Sequence, residues 1–223
     1  MSIFRRRLMM GQEKAYPYDD FGYVKKGKTF HLDGISIGDN ANAWTDLVGG
    51  IIFPLVNGVT HDIDHFNFAS EHGVMESSPH TQLDFDTTGT LEVVTNYYKN
   101  GGVIYSGKNY TLSFIFIGDA VISYISSREK ANIYDVHSYT NPTQFSVSFN
   151  SLYANGVQLE RSGTDFFKYA ADYAVIGNGN QGTNRPYIGN IYAIRYYNRV
   201  LSDVERNVNL AIDNERFNLG LDL

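Results

Sequence analysis

From Thr29 onward, apolar and polar positions alternate over short stretches and do not recur every three or four residues. Tyr110–Ile117 is the clearest case. Leu112, Phe114 and Phe116 fall on one face and Thr111, Ser113 and Ile115 on the other, the period of a strand whose two faces differ in polarity. Phe145–Phe149 alternates with Ser146 and Ser148, and Thr29–Ile37 carries apolar positions at Leu32, Ile35 and Ile37. Short runs at Ile51–Val56, Thr90–Tyr98, Val103–Ser106, Ala120–Ser126, Ser151–Tyr153 and Val157–Leu159 read as further strands, and Ile188–Tyr197 as a long one rich in aromatic residues. Pro54 has no amide to give a ladder, which marks its strand as an edge or a bulge.

Turn residues separate these runs. Asn-Gly stands at 57–58, 100–101, 155–156 and 178–179, and both residues accept the positive φ of a type I′ hairpin turn. Gly118-Asp119 reads as another short hairpin. The pattern predicts antiparallel strands in a meander. No helical stretch of about 10–15 residues alternates with them, as a parallel α/β sheet requires. One helix is predicted, over about 202–216. Ser202-Asp203-Val204-Glu205 has the form of a capping box, and Val204, Val208, Ala211 and Ile212 would make its apolar face against the outside of the sheets.

Composition narrows the chemistry. The chain of 223 residues suits one large β domain, and its 43% hydrophobic, 14% aromatic and 19% charged residues describe a folded protein. The absence of Cys excludes disulfides, zinc–thiolate sites and cysteine nucleophiles. A net charge of −6 argues against a nucleic-acid partner. Met1–Met10 holds Arg5, Arg6 and Arg7, followed by an apolar run of only Leu8–Met10, too short for a secretory signal or a membrane span. Residues 1–28 are therefore read as a basic arm and linker, with Arg5, Arg6 and Arg7 anchoring the chain to an acidic partner, and residues 29–223 as the domain.

Several segments resemble one family. Leu32-Asp33-Gly34 with Trp44-Thr45-Asp46-Leu47, the hairpin Tyr153-Ala154-Asn155-Gly156, Ile176-Gly177, and above all Tyr197-Asn198-Arg199-Val200-Leu201-Ser202-Asp203-Val204-Glu205 resemble the opening, middle and closing motifs of laminin-G-like, concanavalin A-like jelly rolls. The resemblance implies an all-β, antiparallel two-sheet jelly-roll sandwich with one C-terminal helix. The short basic arm resembles those of structural modules in tailed bacteriophages and prophages. That likeness implies a non-enzymatic virion protein, a head fibre, capsid decoration or tail-associated adhesin, that is homo-oligomeric and contacts other virion proteins and a host surface glycan. A bacterial carbohydrate-binding module of a cell-surface or secreted assembly is the alternative.

Catalytic patterns are scarce. Retaining glycosidases need two carboxylates about 5–5.5 Å apart, and the nearest pairs, Asp62/Asp64 and Asp84/Asp86, lie in turn-like contexts. Asp84, Asp86 and Thr88 follow the spacing of a half calcium loop, but Thr95 stands where a bidentate acid belongs, so calcium is the one cofactor considered. His61, His65, His72 and His80 are four of six histidines; the first two would share zinc only on a helix, which the flanking residues oppose. No nucleophilic triad, phosphate loop or dinucleotide fingerprint occurs. Sugar binding needs aromatic faces and planar amides, and the candidates are Trp44, Tyr97, Tyr98, Asn178, Asn180, Gln181, Asn184 and Tyr187.

Overall fold

The computed structural model describes residues 19–37, 42–69, 73–79, 83, 85, 88–99, 101–105, 112–117, 120–125, 131–135, 141–148, 150–165, 174–177 and 187–223. In chain order the strands are β1 (Lys28–Asp33), β2 (Ala43–Thr45), β3 (Ile52–Pro54), β4 (Thr60–Asp62), β5 (His65–Phe68), β6 (Met75–Glu76), β7 (Thr90–Lys99), β8 (Gly101–Tyr105) and β9 (Leu112–Ile117). They continue with β10 (Ala120–Ile125), β11 (Ala131–Asp135), β12 (Thr143–Ser148), β13 (Ser151–Ala154), β14 (Val157–Gln158), β15 (Arg161–Asp165), β16 (Val175–Ile176) and β17 (Ile188–Tyr197), and helix α1 (Asp203–Phe217) follows.

Two antiparallel sheets form the sandwich. The first runs β14-β13-β12-β7-β17-β5-β4, with β1 also paired to β17; the second runs β15-β11-β10-β9-β8-β16-β6. β17 organises the first sheet. One of its edges pairs with β7. The other is shared, β5 taking Gly189–Ile191 and β1 taking Ala193–Tyr197. The ribbon β2–β3 stands apart, with Pro54 at its end opposite Ala43.

The two-residue period explains the core. One face of the first sheet sends Phe30, Leu32, Leu91, Val93, Phe145, Val147, Ile194 and Tyr196 into a cluster with Trp44, Phe53, Met75, Tyr134 and Ile176. The other face carries His31, Asp33, Glu92, Gln144, Ser146, Arg195 and Tyr197, and these are buried as well. Helix α1 and residues 19–27 cover that polar face. A register shift in β17 between Ile191 and Ala193 turns both Tyr192 and Ala193 toward Leu210 and Phe217 of the helix. The described part of the expected linker is thus packed into the domain, with Tyr23 and Val24 fully buried.

The Asn-Gly turns divide. Asn155 and Gly156, at φ 47° and 80°, close the β13–β14 hairpin as a type I′ turn should. Asn57 and Gly58 adopt similar φ values, 55° and 79°, yet join β3 to β4, which do not pair. β7 and β8, either side of position 100, belong to different sheets. An Asn-Gly step marks a reversal of the chain; it does not choose the partner strand.

Helix α1 begins where the capping box places it. The Ser202 amide donates to Glu205 Oε2 (2.9 Å), and the Glu205 amide donates to Ser202 Oγ (3.4 Å). Its buried face differs from the expected one. Arg206, Asn209, Leu210, Ile212, Asp213 and Phe217 face the sheet, while Val204 is 71% exposed. The surface beneath is polar, so the helix turns polar residues toward it.

Candidate functional site

Beneath α1 lies a buried ionic layer. The Arg195 guanidinium donates to Asp213 through Nη1 (2.8 Å) and Nη2, and through Nε to Glu92 Oε2 (3.2 Å). Asn209 donates to the same Glu92 oxygen (2.8 Å) and to the Tyr197 hydroxyl (3.0 Å). Gln144 Nε2 (2.7 Å) and the Tyr23 hydroxyl (2.8 Å) complete the shell of Asp213. Arg195 stacks on the Tyr23 ring at 4.2 Å from its centroid. Burial opposes the Arg195 charge, but Asp213, Tyr23 and Glu92 more than offset it, and its pKa rises. Burial raises the Glu92 carboxyl to about 7, against the pull of Arg195. Such a layer fixes the helix on the sheet, because removing either member strands a buried charge.

The same layer borders a cleft. Where α1 begins, its first turns stand away from the β12–β13 hairpin and leave a cavity of about 180 Å³. Gln144, Ser146, Tyr153, Gly156, Asp203, Arg206 and Asn207 line it. Arg206 donates from Nη1 to the Leu201 carbonyl (2.6 Å) and from Nη2 to Asp203, and lies 4.0 Å over the Tyr153 ring. Ser146 is only 2% exposed, and its Oγ has no hydrogen-bond partner among the described residues. A buried hydroxyl without a partner is costly, commonly about 1–3 kcal/mol. Gly156 and Asn207 also line a second hollow of about 370 Å³ with Asn155, Val157, Leu210, Ala211 and Leu223. Gly156 keeps this passage open: a Cβ there would lie 2.9 Å from Leu210 Cδ2.

The structure places the expected residues elsewhere. Trp44 is fully buried, stacked on Phe66 at 4.1 Å, and donates its Nε1 to the Asp33 carbonyl (3.1 Å). Tyr187 is fully buried against Phe68, and its hydroxyl donates to the Asn96 and Asn190 carbonyls. Neither ring offers a face to a sugar, so both are corrected from glycan contacts to core. Tyr97 and Tyr98 lie in β7, with their side chains outside the described residues, as are Asn178, Asn180, Gln181 and Asn184. Arg5, Arg6, Arg7, Asp84, Asp86, His72 and His80 also lie outside them; Thr88 is exposed.

His61 and His65 stand on β4 and β5 of one hairpin. His61 Nε2 is 2.7 Å from the Gly34 carbonyl, and His65 Nδ1 is 2.7 Å from Asp64 Oδ1. Among the described residues no three His, Asp or Glu gather as a metal site requires. No described helix is long and apolar enough to cross a membrane.

The recognisable motifs prove structural. Asp46 accepts the amides of His31, Val48 and Gly49 and so ties the turn after β2 to β1. Asp33 accepts two loop amides and pairs with Arg216. At Gly34 a Cβ would lie 2.2 Å from the Asp64 carbonyl. Arg199 pairs with Glu205 through two hydrogen bonds (2.9 and 2.6 Å), the first cause of a Glu205 pKa near 2. Pattern reading missed Ser146, Tyr153, Arg206 and Asn207; the available signal was the Ser146/Ser148 alternation, which set a polar face where a helix lies.

No family model and no curated protein matches the chain. Solved structures do. A Trypanosoma rangeli sialidase in complex with sialic acid aligns at 14% identity and TM-score 0.54, over 85% of this chain and 33% of that one. The botulinum neurotoxin type G receptor binding domain aligns at 12% identity and TM-score 0.61, over 84% of this chain and 52% of that domain. The binding domain of botulinum neurotoxin DC in complex with SialylT aligns at 14% and 0.58, over 83% and 51%. The chain spans between a third and about half of the structures it matches. At these identities the likeness is one of fold, and it agrees with the all-β antiparallel sandwich seen here.

Proposed function

We propose that this chain is a non-catalytic, lectin-like binding module that takes a saccharide in the cleft between α1 and the β12–β13 hairpin. The observation that carries the reading is the Ser146 hydroxyl, buried on the cleft wall without a partner. A sugar hydroxyl satisfies such a group, and the apolar stretch beside it suits the less polar face of a pyranose. The fold supports the reading, since a sialidase and a neurotoxin binding domain that share it form complexes with sialic acid and with SialylT. Asp203, the acid on the cleft wall, is paired with Arg206, and Glu92 and Asp213 are paired with Arg195 and fully enclosed, which suits structural roles. A glycan array followed by calorimetry tests the proposal. Saturable binding that weakens in Ser146→Ala supports it; silence across the array from folded protein overturns it.

The setting we propose is a tailed-phage virion, with Arg5, Arg6 and Arg7 as particle anchor, other virion proteins as partners, and a homo-oligomeric adhesin as the assembly. This rests on the sequence: the basic arm, the acidic composition and the lack of a catalytic carboxylate pattern. Deleting residues 1–15 and measuring incorporation into particles tests it; unchanged incorporation counts against the anchor.

A further inference from the structure

Two hollows, unlike in polarity, adjoin at Gly156 and Asn207. The polar end holds the Ser146 hydroxyl, Asp203 and Arg206; the apolar end holds Val157, Leu210 and Ala211. Charge decides what the polar end accepts. Arg206 is its one cation among the described lining residues; Asp203 and the Leu201 carbonyl take two of its five N–H donors, and Asp203 balances its charge. Arg195 lies beneath, paired with Asp213 and Glu92. An anionic sugar entering here would meet the Asp203 carboxylate and compete with it for Arg206, whereas a neutral hydroxyl can accept from the remaining N–H groups without displacing it. A neutral sugar carries no such penalty.

The apolar end decides the rest. Val157 is 67% exposed on the rim, and Leu210 closes the floor. A hexose with hydroxyls on every carbon leaves this end wetted but unfilled, whereas a methyl group placed there removes apolar surface from water.

Resting on the saccharide reading above, we propose that the cleft selects a neutral hexose bearing a methyl group, as in an N-acetyl substituent, with its hydroxyls toward Ser146 and its methyl against Val157, Leu210 and Ala211. This separates the site from the sialic acid and SialylT complexes among the structures of similar fold.

Calorimetry and saturation-transfer NMR on the full chain test it. The probes are methyl glycosides of N-acetylglucosamine, glucose and sialic acid. The N-acetyl glycoside should bind about fourfold more tightly than the glucoside, the size expected for burying one methyl, since the hydroxyl on Ser146 is common to both. The sialoside should bind no better than the glucoside. Val157→Asp, on an exposed rim position, should erase the N-acetyl advantage and leave glucoside binding in place. Ser146→Ala should weaken both neutral sugars. Tighter sialoside binding, or N-acetyl binding indifferent to both substitutions, overturns the inference while leaving saccharide binding intact. No binding of any probe by folded protein overturns both readings.

Discussion

Glu92→Gln makes the folded state report on its own buried ionic layer. The side chains are nearly the same shape, and a glutamine carbonyl can still accept from Arg195 and Asn209 at the Oε2 position. What changes is titration. The Glu92 carboxyl is raised from 4.5 to about 7, first by burial. It therefore keeps its proton in the folded state while the unfolded chain loses it, and stability falls as pH rises from about 4.5 to about 7. The full loss is about 3 kcal/mol, most of which falls between pH 5 and pH 8. His31 works in the opposite sense. Burial, then Lys28, Arg195 and Arg216, hold its pKa well below 6.5. The unfolded chain takes up that proton first as pH drops, so its contribution is present above pH 6.5 and lost below. The two slopes partly cancel in the parent protein, and the difference between parent and variant isolates Glu92. Urea unfolding at half-unit steps from pH 5 to pH 8 should show Glu92→Gln gaining about 2–3 kcal/mol on the parent, whatever the constant offset between them. A difference that stays flat with pH would refute the account, because it would mean Glu92 is ionised in the folded state throughout.

Trp44→Ala removes a fully enclosed ring stacked on Phe66 and should cost about 3–5 kcal/mol in denaturant unfolding. In conditions where the variant is still folded, saccharide affinity should match the parent; lost affinity with unchanged stability would place the ring in a binding site after all. Ser202→Ala opens the capping box and should cost about 1 kcal/mol at pH 6, read by thermal unfolding. Because Arg199 holds the Glu205 carboxyl near 2, the carboxylate's share of the cap is present above pH 4.5 and disappears as pH falls toward 2, and the gap between parent and variant should narrow there.

Strands such as β7, β9, β12 and β17 are legible because each obeys a local rule, whereas β2, β4, β5, β6, β11, β15 and β16 are not picked out by it. Ile188–Tyr197 emerged with the bounds its pattern suggested, and Ser202 capped the helix as its spacing required. Pairing is legible only across the shortest hairpins, β9–β10 and β13–β14. The same Asn-Gly step closes a hairpin at 155–156 and only bends the chain at 57–58, because the partner strand is set by where the apolar faces meet, a long-range matter. The helix face was misread for a related reason. Apolar periodicity favours Val204, Val208, Ala211 and Ile212; Ile212 is buried as expected, yet Val204 is exposed because Glu92 and Arg195 on the sheet take Asn209 and Asp213 as partners. A buried polar group recruits its partner regardless of hydropathy.

That rule also explains why the aromatic search for a site led to the core. Trp44 and Tyr187 have polar atoms with backbone carbonyls to satisfy them, so burial costs them little and wins their ring area for packing. The family-like motifs behave in the same way: Asp33, Asp46, Arg199 and Glu205 all end in hydrogen bonds that hold loops, caps and strands in register. A residue whose polar atoms are fully spent on the fold has none left for a ligand. Function is better sought where that account fails to close; among the described residues beside the helix it fails at Glu92 Oε1, Arg216 Nε and Ser146 Oγ, and of these three residues Ser146 lines the cleft, a small strand residue whose sequence context gave it no distinction from Ser148. Ser148 has the Ser151 hydroxyl at 2.7 Å; Ser146 faces a cleft.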